Sequence, residues 1–243
     1  MNHLLIIGAN SDIAQATSKH YAKHGYSLSL AARRISQLEG FAQDLKIKHN
    51  CEIRLIELDI LDHNQRQHLI KSLKKIPSAV LFAAGYLGDQ QNAQNNELEA
   101  KKIFDSNFVG ATALLDHFAN EFEKNRAGVI MAISSVAGDR GRKSNYFYGA
   151  AKAALSTYLS GLRNRLYNSN VSVIDIKPGF VATKMTAHLE LPNKLTTTPE
   201  HVAACIFNAH TKKKNVLYVA GIWQLIMLII KFIPETIFKR LSL

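Results

Sequence analysis

The sequence predicts a doubly wound α/β fold, one parallel sheet of about seven strands with helices on both faces. Three observations predict it. Short apolar runs recur along the 243 residues, nearly continuous rather than alternating, the pattern of strands buried on both faces. The stretches between them are long enough for crossover helices. No internal repeat or low-complexity linker interrupts the series, so one domain is expected over residues 1–221, followed by a segment, 222–243, of different character.

Composition agrees. The chain is 47% hydrophobic and 20% charged, which suits a folded globular protein and excludes a disordered one. Cys51 and Cys205 belong to no CxxC pair, so neither a disulfide framework nor a metal site is expected, and a reducing compartment fits. The opening MNHLLIIGAN has no basic n-region, which argues against a signal peptide and for the cytoplasm. Lysine and arginine outnumber acids 30 to 19, a net charge of +11. Such an excess favours anionic partners. With no zinc finger, RNP-type aromatic strand or dense basic arm, nucleic acid is not the expected one.

The first run, HLLIIG (3–8), passes into G-A-N-S-D-I-A (8–14) and then a helical pattern that stops at Gly25. A strand, a glycine turn and a helix N-terminus present backbone N–H groups and a favourable dipole to a pyrophosphate. Gly8, Asn10, Ser11, Asp12 and Ile13 are therefore candidate cofactor contacts. Asp12 suits an anion site only if it turns outward or caps the helix.

The second run, SLSLAA (27–32), ends in Arg33-Arg34. Arginines there suit a ribose 2′-phosphate, which favours NADP(H) over NAD(H). After the third, EIRLIEL (52–58), come Asp59 and Ile60. Asp59 is placed to accept from an adenine amine or to cap the next helix. The fourth is SAVLFAAG (78–85). The fifth, GVIMAIS (128–134), leads to Ser135; Tyr148 follows thirteen residues later and Lys152 four beyond it. In the helix that begins there, Leu155, Tyr158, Leu159, Leu162 and Leu166 form a packing face. The sixth run, VSVIDIK (171–177), precedes Pro178-Gly179, and the seventh is NVLYVAG (215–221).

The spacing Y-x-x-x-K alone is a weak signal. The ordered set is strong: glycine turn, Asn107 in DSNFVG, Ser135, Tyr148, Lys152, Pro178-Gly179. It resembles the short-chain dehydrogenase/reductase family over nearly the whole chain. The resemblance implies a Rossmann-like nucleotide fold, carbonyl reduction with a nicotinamide cofactor, a dimer or tetramer, and a catalytic set of Asn107, Ser135, Tyr148 and Lys152. A ketone accepting hydride develops alkoxide charge and needs a proton. Tyr148 is expected to supply it, its pKa lowered from about 10 by the ammonium one helical turn away. Ser135 then hydrogen-bonds the carbonyl oxygen. By resemblance, Lys152 also binds the nicotinamide ribose and Asn107 holds a water that links Lys152 to solvent. Ala83, Ala84 and Gly85 stand in the family's N-A-A-G, with Phe82 in place of its asparagine, while Val181 and Thr183 match positions that touch the carboxamide and phosphate. Ile7, Asp12 and Ala14 depart from the family's T-G-x-x-x-G-x-G turn.

Two features go beyond the generic family. The loop Gly138-Asp139-Arg140-Gly141-Arg142-Lys143 sets three cations against one acid between Ser135 and Tyr148. Arg140, Arg142 and Lys143 are candidates to hold an anionic substrate. Residues 222–233 are apolar apart from Gln224 and Lys231, about 18 Å of helix, too short to span a hydrocarbon core of about 30 Å. They suit the membrane interface, with Trp223 as an anchor and Lys212–Lys214, Lys231, Lys239 and Arg240 near headgroups, or else a lid or subunit contact. GDRGRKSNYFYGAAKAAL, KPGFVATKMTAHL and IPETIFKRL resemble one branch of the family, the decaprenylphosphoryl-2-keto-ribose reductases. That branch implies a polyprenylphosphoryl 2-keto-pentose substrate, a flavin-dependent oxidase as partner, and cell-envelope arabinose as the end. The alternatives are another lipid ketone (steroid, 3-ketosphingoid or ketoacyl) and, outside catalysis, an NADP-binding regulator.

Overall fold

The structure, a computed structural model, describes residues 2–73, 75–187 and 189–241. The strands are β1 (His3–Ile7), β2 (Ser27–Ala32), β3 (Ile53–Glu57), β4 (Ala79–Phe82), β5 (Gly128–Ile133), β6 (Val171–Lys177), β7 (Phe180–Val181), β8 (Thr196–Thr197) and β9 (Val216–Tyr218). The helices are α1 (Asp12–Lys23), α2 (Glu39–His49), α3 (His63–Ser72), α4 (Gln90–Asn95), α5 (Glu97–Phe104), α6 (Gly110–Asn125), α7 (Tyr146–Leu166), α8 (Pro199–Thr211), α9 (Ile222–Phe232) and α10 (Glu235–Phe238). Among the described residues the main sheet has seven strands, all parallel, in the order β3-β2-β1-β4-β5-β6-β9. β7 and β8 pair separately; at two residues each they are too short to leave a sequence pattern.

The pleat explains why the strand runs are continuously apolar. Leu4 and Ile6 pack with Tyr21, Leu28, Leu30, Val202 and Ile206 on the face covered by α1 and α8. Leu5 and Ile7 point the other way, into Phe82, Leu114, Phe118, Leu155 and Leu159 under α6 and α7. A strand sandwiched between two helical layers has no solvent side. On α7, Leu155, Leu159, Leu162 and Leu166 are buried. Tyr158 is half-buried, and its hydroxyl donates to Asp116 on α6 at 2.8 Å. The strand order reverses between β1 and β4, so the crevice for a ligand opens beyond their carboxyl ends.

The α1–α8 contact carries a titratable group. The Tyr21 hydroxyl and His210 Nδ1 lie 2.8 Å apart, and burial lowers the His210 pKa below its ordinary 6.5. The unfolded chain therefore binds the His210 proton more readily than the folded one. That stability is present above pH 6.5 and is lost as pH falls through the lower folded value. The urea midpoint is expected to drop between pH 7.5 and pH 5, and to drop less in His210→Gln, which keeps a polar partner for Tyr21 without the titration.

The C-terminal segment turns one face inward. Trp223 and Met227 of α9 pack on Val136, with Phe180, Leu195 and Tyr218 beside them. The Trp223 indole lies flat on Gly179, where a Cβ would fall 2.0 Å from the ring, and its Nε1 donates to the Leu195 carbonyl. Trp223 is thus a core residue and not the interfacial anchor expected of it. Ile222, Leu225, Leu228, Ile229 and Phe232 are exposed on the other face. No helix among the described residues is long and apolar enough to cross a membrane. Ser242 and Leu243, the end of the expected segment 222–243, lie outside the described residues.

Candidate active site

The crevice is a cavity of about 420 Å³. Gly8, Asn10, Ser11, Asp12, Ile13, Arg33, Arg34, Asp59, Ile60, Ala83, Ala84, Gly85, Tyr148, Lys152, Pro178, Gly179, Val181 and Thr183 all line it, and so does Ser135. The fold brings together residues up to 175 positions apart in the chain because every strand delivers its carboxyl end to the same edge.

The first turn is shaped by Gly8, whose φ is +87°; a Cβ there would sit 2.4 Å from the Ala84 nitrogen. The absent side chain lets the ends of β1 and β4 close on each other and leaves the α1 N-terminus facing the cavity. Ser11 caps that helix, accepting from the Ala14 N–H at 3.2 Å. Asp12 does not cap it. Its carboxylate reaches across the cavity mouth, accepting from the Lys184 backbone N–H at 2.7 Å with the Lys184 ammonium 3.6 Å away. The negative charge at the anion site is therefore directed outward and compensated. Asn10 Nδ2 donates to the Arg34 carbonyl, and Asn10 Oδ1 is buried without a hydrogen-bond partner among the described residues. A cradle that a Cβ would fill, an unpartnered buried acceptor and two arginines at one end fit a phosphorylated dinucleotide. Asp59 accepts from the Leu61 N–H; the cap of α3 is Asp62, which accepts from Asn64 and Gln65. The capping role open to Asp59 in the sequence belongs to its neighbour three residues on.

At the other end stand the reacting groups. Ser135 Oγ accepts from the Ala137 N–H at 3.1 Å, which leaves its hydroxyl hydrogen to donate. The Lys152 ammonium is buried, donates to the Ile133 carbonyl at 2.8 Å and lies 5.6 Å from the Tyr148 ring centre. Burial pulls Lys152 down to about 8, with Asp175 opposing. Burial also pushes the Tyr148 phenol up to about 12, the Ser135 hydroxyl pulling it the other way. The direction is the opposite of the lowering expected from Lys152, and its cause is burial. A phenol at this value is protonated throughout the neutral range, which is the form a proton donor needs.

Asn107 stands behind the cavity wall. It sits in a π-helical turn, Asp105–Val109, between α5 and α6. Its side chain donates to the Tyr86 and Ile103 carbonyls and accepts from the Tyr86 N–H. It meets Lys152 across Gly85, which both side chains border.

The basic loop lies elsewhere. Arg140 donates to the Lys231 carbonyl and to Glu235 at 2.7 Å and stacks on Phe238 at 4.1 Å. Arg142 donates to the Met227 sulfur. Lys143 is exposed on the same loop. None of the three lines the cavity. The loop that sequence position assigned to the substrate mouth clasps the C-terminal segment instead. Sequence reasoning also missed Tyr86, Lys102, Lys184 and Met185, which do line the cavity. Tyr86 and Lys184 directly follow residues already singled out. Lys102, whose ammonium lies 4.2 Å over the Tyr86 ring, has no local signal.

Comparison with known proteins identifies the family. The short chain dehydrogenase family matches residues 2–194. An uncharacterised oxidoreductase of Mycobacterium tuberculosis is 32% identical over 242 residues, covering 98% of this chain and 96% of the relative. An NADP-dependent 3-hydroxy acid dehydrogenase of Schizosaccharomyces pombe is 28% identical over 229 residues, 88% of each chain. Among solved structures, a short-chain dehydrogenase from Sphingobium yanoikuyae in complex with NADPH has a TM-score of 0.83 at 20% identity over 97% of both chains, a likeness of fold.

Proposed function

Because this chain belongs to the short chain dehydrogenase family of oxidoreductases, we propose that it reduces a ketone carried on a lipid, using NADPH. One observation carries the reading: Ser135, Tyr148 and Lys152 line the same cavity as Gly8, Arg33, Arg34 and Pro178-Gly179. Bound NADPH supplies the hydride. The chain's own residues do the rest. Ser135 donates a hydrogen bond to the carbonyl oxygen and steadies charge as it develops. Tyr148 transfers its phenolic proton to that oxygen, so the ketone becomes a secondary alcohol. The Lys152 ammonium offsets the charge left on the phenol. Arg33 and Arg34 meet the 2′-phosphate, and the α1 N-terminus behind Gly8 holds the pyrophosphate.

The lipid part is supported by the C-terminal segment. The outer face of α9 is apolar and exposed, and Lys231 on this helix and Lys239 and Arg240 just beyond it are exposed as well. Such a helix seats in an anionic interface, here at the inner face of the cell membrane with the protein otherwise cytoplasmic. The sequence resemblance favours a polyprenylphosphoryl 2-keto-pentose, made by a flavin-dependent oxidase, as the ketone. Assembly into a homo-oligomer follows from the family.

NADPH oxidation should depend on this ketone, presented in vesicles of anionic phospholipid. The protein should co-sediment with those vesicles, and Leu228→Ser with Phe232→Ser should release it. Turnover of a soluble short-chain ketone at equal kcat/KM, with no sedimentation, would remove the lipid and keep the reductase.

A further inference from the structure

Behind the strand end that carries Ser134 and Ser135 lies a buried set of charges that proton transfer does not use. Lys177 Nζ is 2.5 Å from Asp139 Oδ1 and 3.6 Å from Asp175 Oδ2, and the three side chains are 9%, 4% and 3% exposed. The Tyr218 hydroxyl donates to Asp139 Oδ2 at 2.6 Å, and the Ser134 hydroxyl donates to Asp175 Oδ1. One cation between two carboxylates leaves one net negative charge in a place that water does not reach, where such a charge needs a counter-ion.

The strand register relates this set to the Lys152 ammonium. β5 and β6 pair Ala132 with Asp175 and Ile133 with Ile176. The Ile133 carbonyl is the acceptor of the Lys152 ammonium. The residue after it, Ser134, holds Asp175. The surplus carboxylate and the Lys152 cation are thus tied to consecutive residues, the last of β5 and the one after it.

We propose that Asp175 is a positioning residue of this enzyme: held by Ser134 and Lys177, it supplies the counter-charge of the Lys152 ammonium and fixes the strand end that presents Ser135. The proposal rests on the reductase reading above. The groups facing Asp175 are Ser134 just after β5, Lys177 from β6, Lys152 and Arg163 from α7, and Tyr218 from β9, with Asp139 behind Lys177. Arg163 gives Nε to the Val173 carbonyl and Nη2 to the Asn215 carbonyl, so its hydrogen bonds go to the backbone. Burial lowers Lys152, and Asp175 is the charge that raises it.

The test reads Lys152 directly. In protein carrying 13C-labelled lysine, the Lys152 Cε resonance is assigned by its loss in Lys152→Met, and its pH midpoint is followed. Asp175→Asn keeps the shape and an acceptor for Ser134 but removes the charge. Its midpoint should fall by about one unit or more. The alkaline limb of kcat should move with it while KM for NADPH stays unchanged, a split that a merely structural role would not give. Asp139→Asn hands Lys177 wholly to Asp175 and should lower the midpoint by a smaller step; it carries the test if Asp175→Asn does not fold. An unmoved midpoint in the folded variant overturns the proposal. A shifted midpoint in a protein whose wild type reduces no ketone upholds the coupling and sinks the reductase reading alone.

Discussion

Replacing Tyr148 by phenylalanine is expected to lower kcat for ketone reduction about 10²–10⁴-fold, with NADPH affinity unchanged. The substitution removes one oxygen and leaves a ring among Tyr86, Phe104, Phe147 and Ala151, so thermal unfolding should not move. What is lost is the donor. With its pKa pushed up to about 12, the phenol holds its proton at every pH used for assay and gives it up only to an oxygen made more basic by hydride. Lys152 is the group that titrates within reach, near 8. Its charge is fully present below that value and lost as pH rises through it. Wild-type reduction should therefore be steady near neutrality and decline above about pH 8, while alcohol oxidation, which needs a phenolate, should rise with pH. A Tyr148→Phe enzyme at full rate would show that the proton comes from elsewhere.

The strand runs, the glycine turn and the Tyr148–Lys152 spacing were legible because each is written in adjacent residues or a fixed period. Leu4 to Ile7 declare a two-sided strand whichever helices cover it. Gly8 declares a turn before anything shows that Ala84 is what it approaches. The features that escaped depend on partners far along the chain. Asp12 finds Lys184, Arg140 finds Glu235, and Asp139 finds Tyr218; no local pattern encodes those meetings. Trp223 misled for a related reason. The apolar stretch 222–233 reads as one hydrophobic helix, and periodicity alone does not say that one face carries Trp223 and Met227 into the core and the other carries Leu225 and Phe232 to the surface. The direction of the Tyr148 shift escaped because helical spacing gives the sign of the lysine's field but not the depth of burial that opposes it.

The double variant Arg33→Ala with Arg34→Ala should cost NADPH binding about 10–100-fold per arginine and leave NADH binding close to unchanged. Both side chains are exposed where β2 ends and both line the cavity. The Asn10 bond to the Arg34 carbonyl fixes their backbone against the Gly8 turn, so the arginines are presented at a set distance from the pyrophosphate end. An exposed cation pair works through charge-assisted bonds to the phosphate, so wild-type preference for NADPH should weaken as salt rises and the variant's should not. Calorimetric titration of each cofactor without ketone separates this from catalysis. If the ratio of the two affinities is the same in wild type and double variant, the arginines are a solvated turn and cofactor choice is made by another part of the cavity, with Lys102 and Lys184 the next cations to replace.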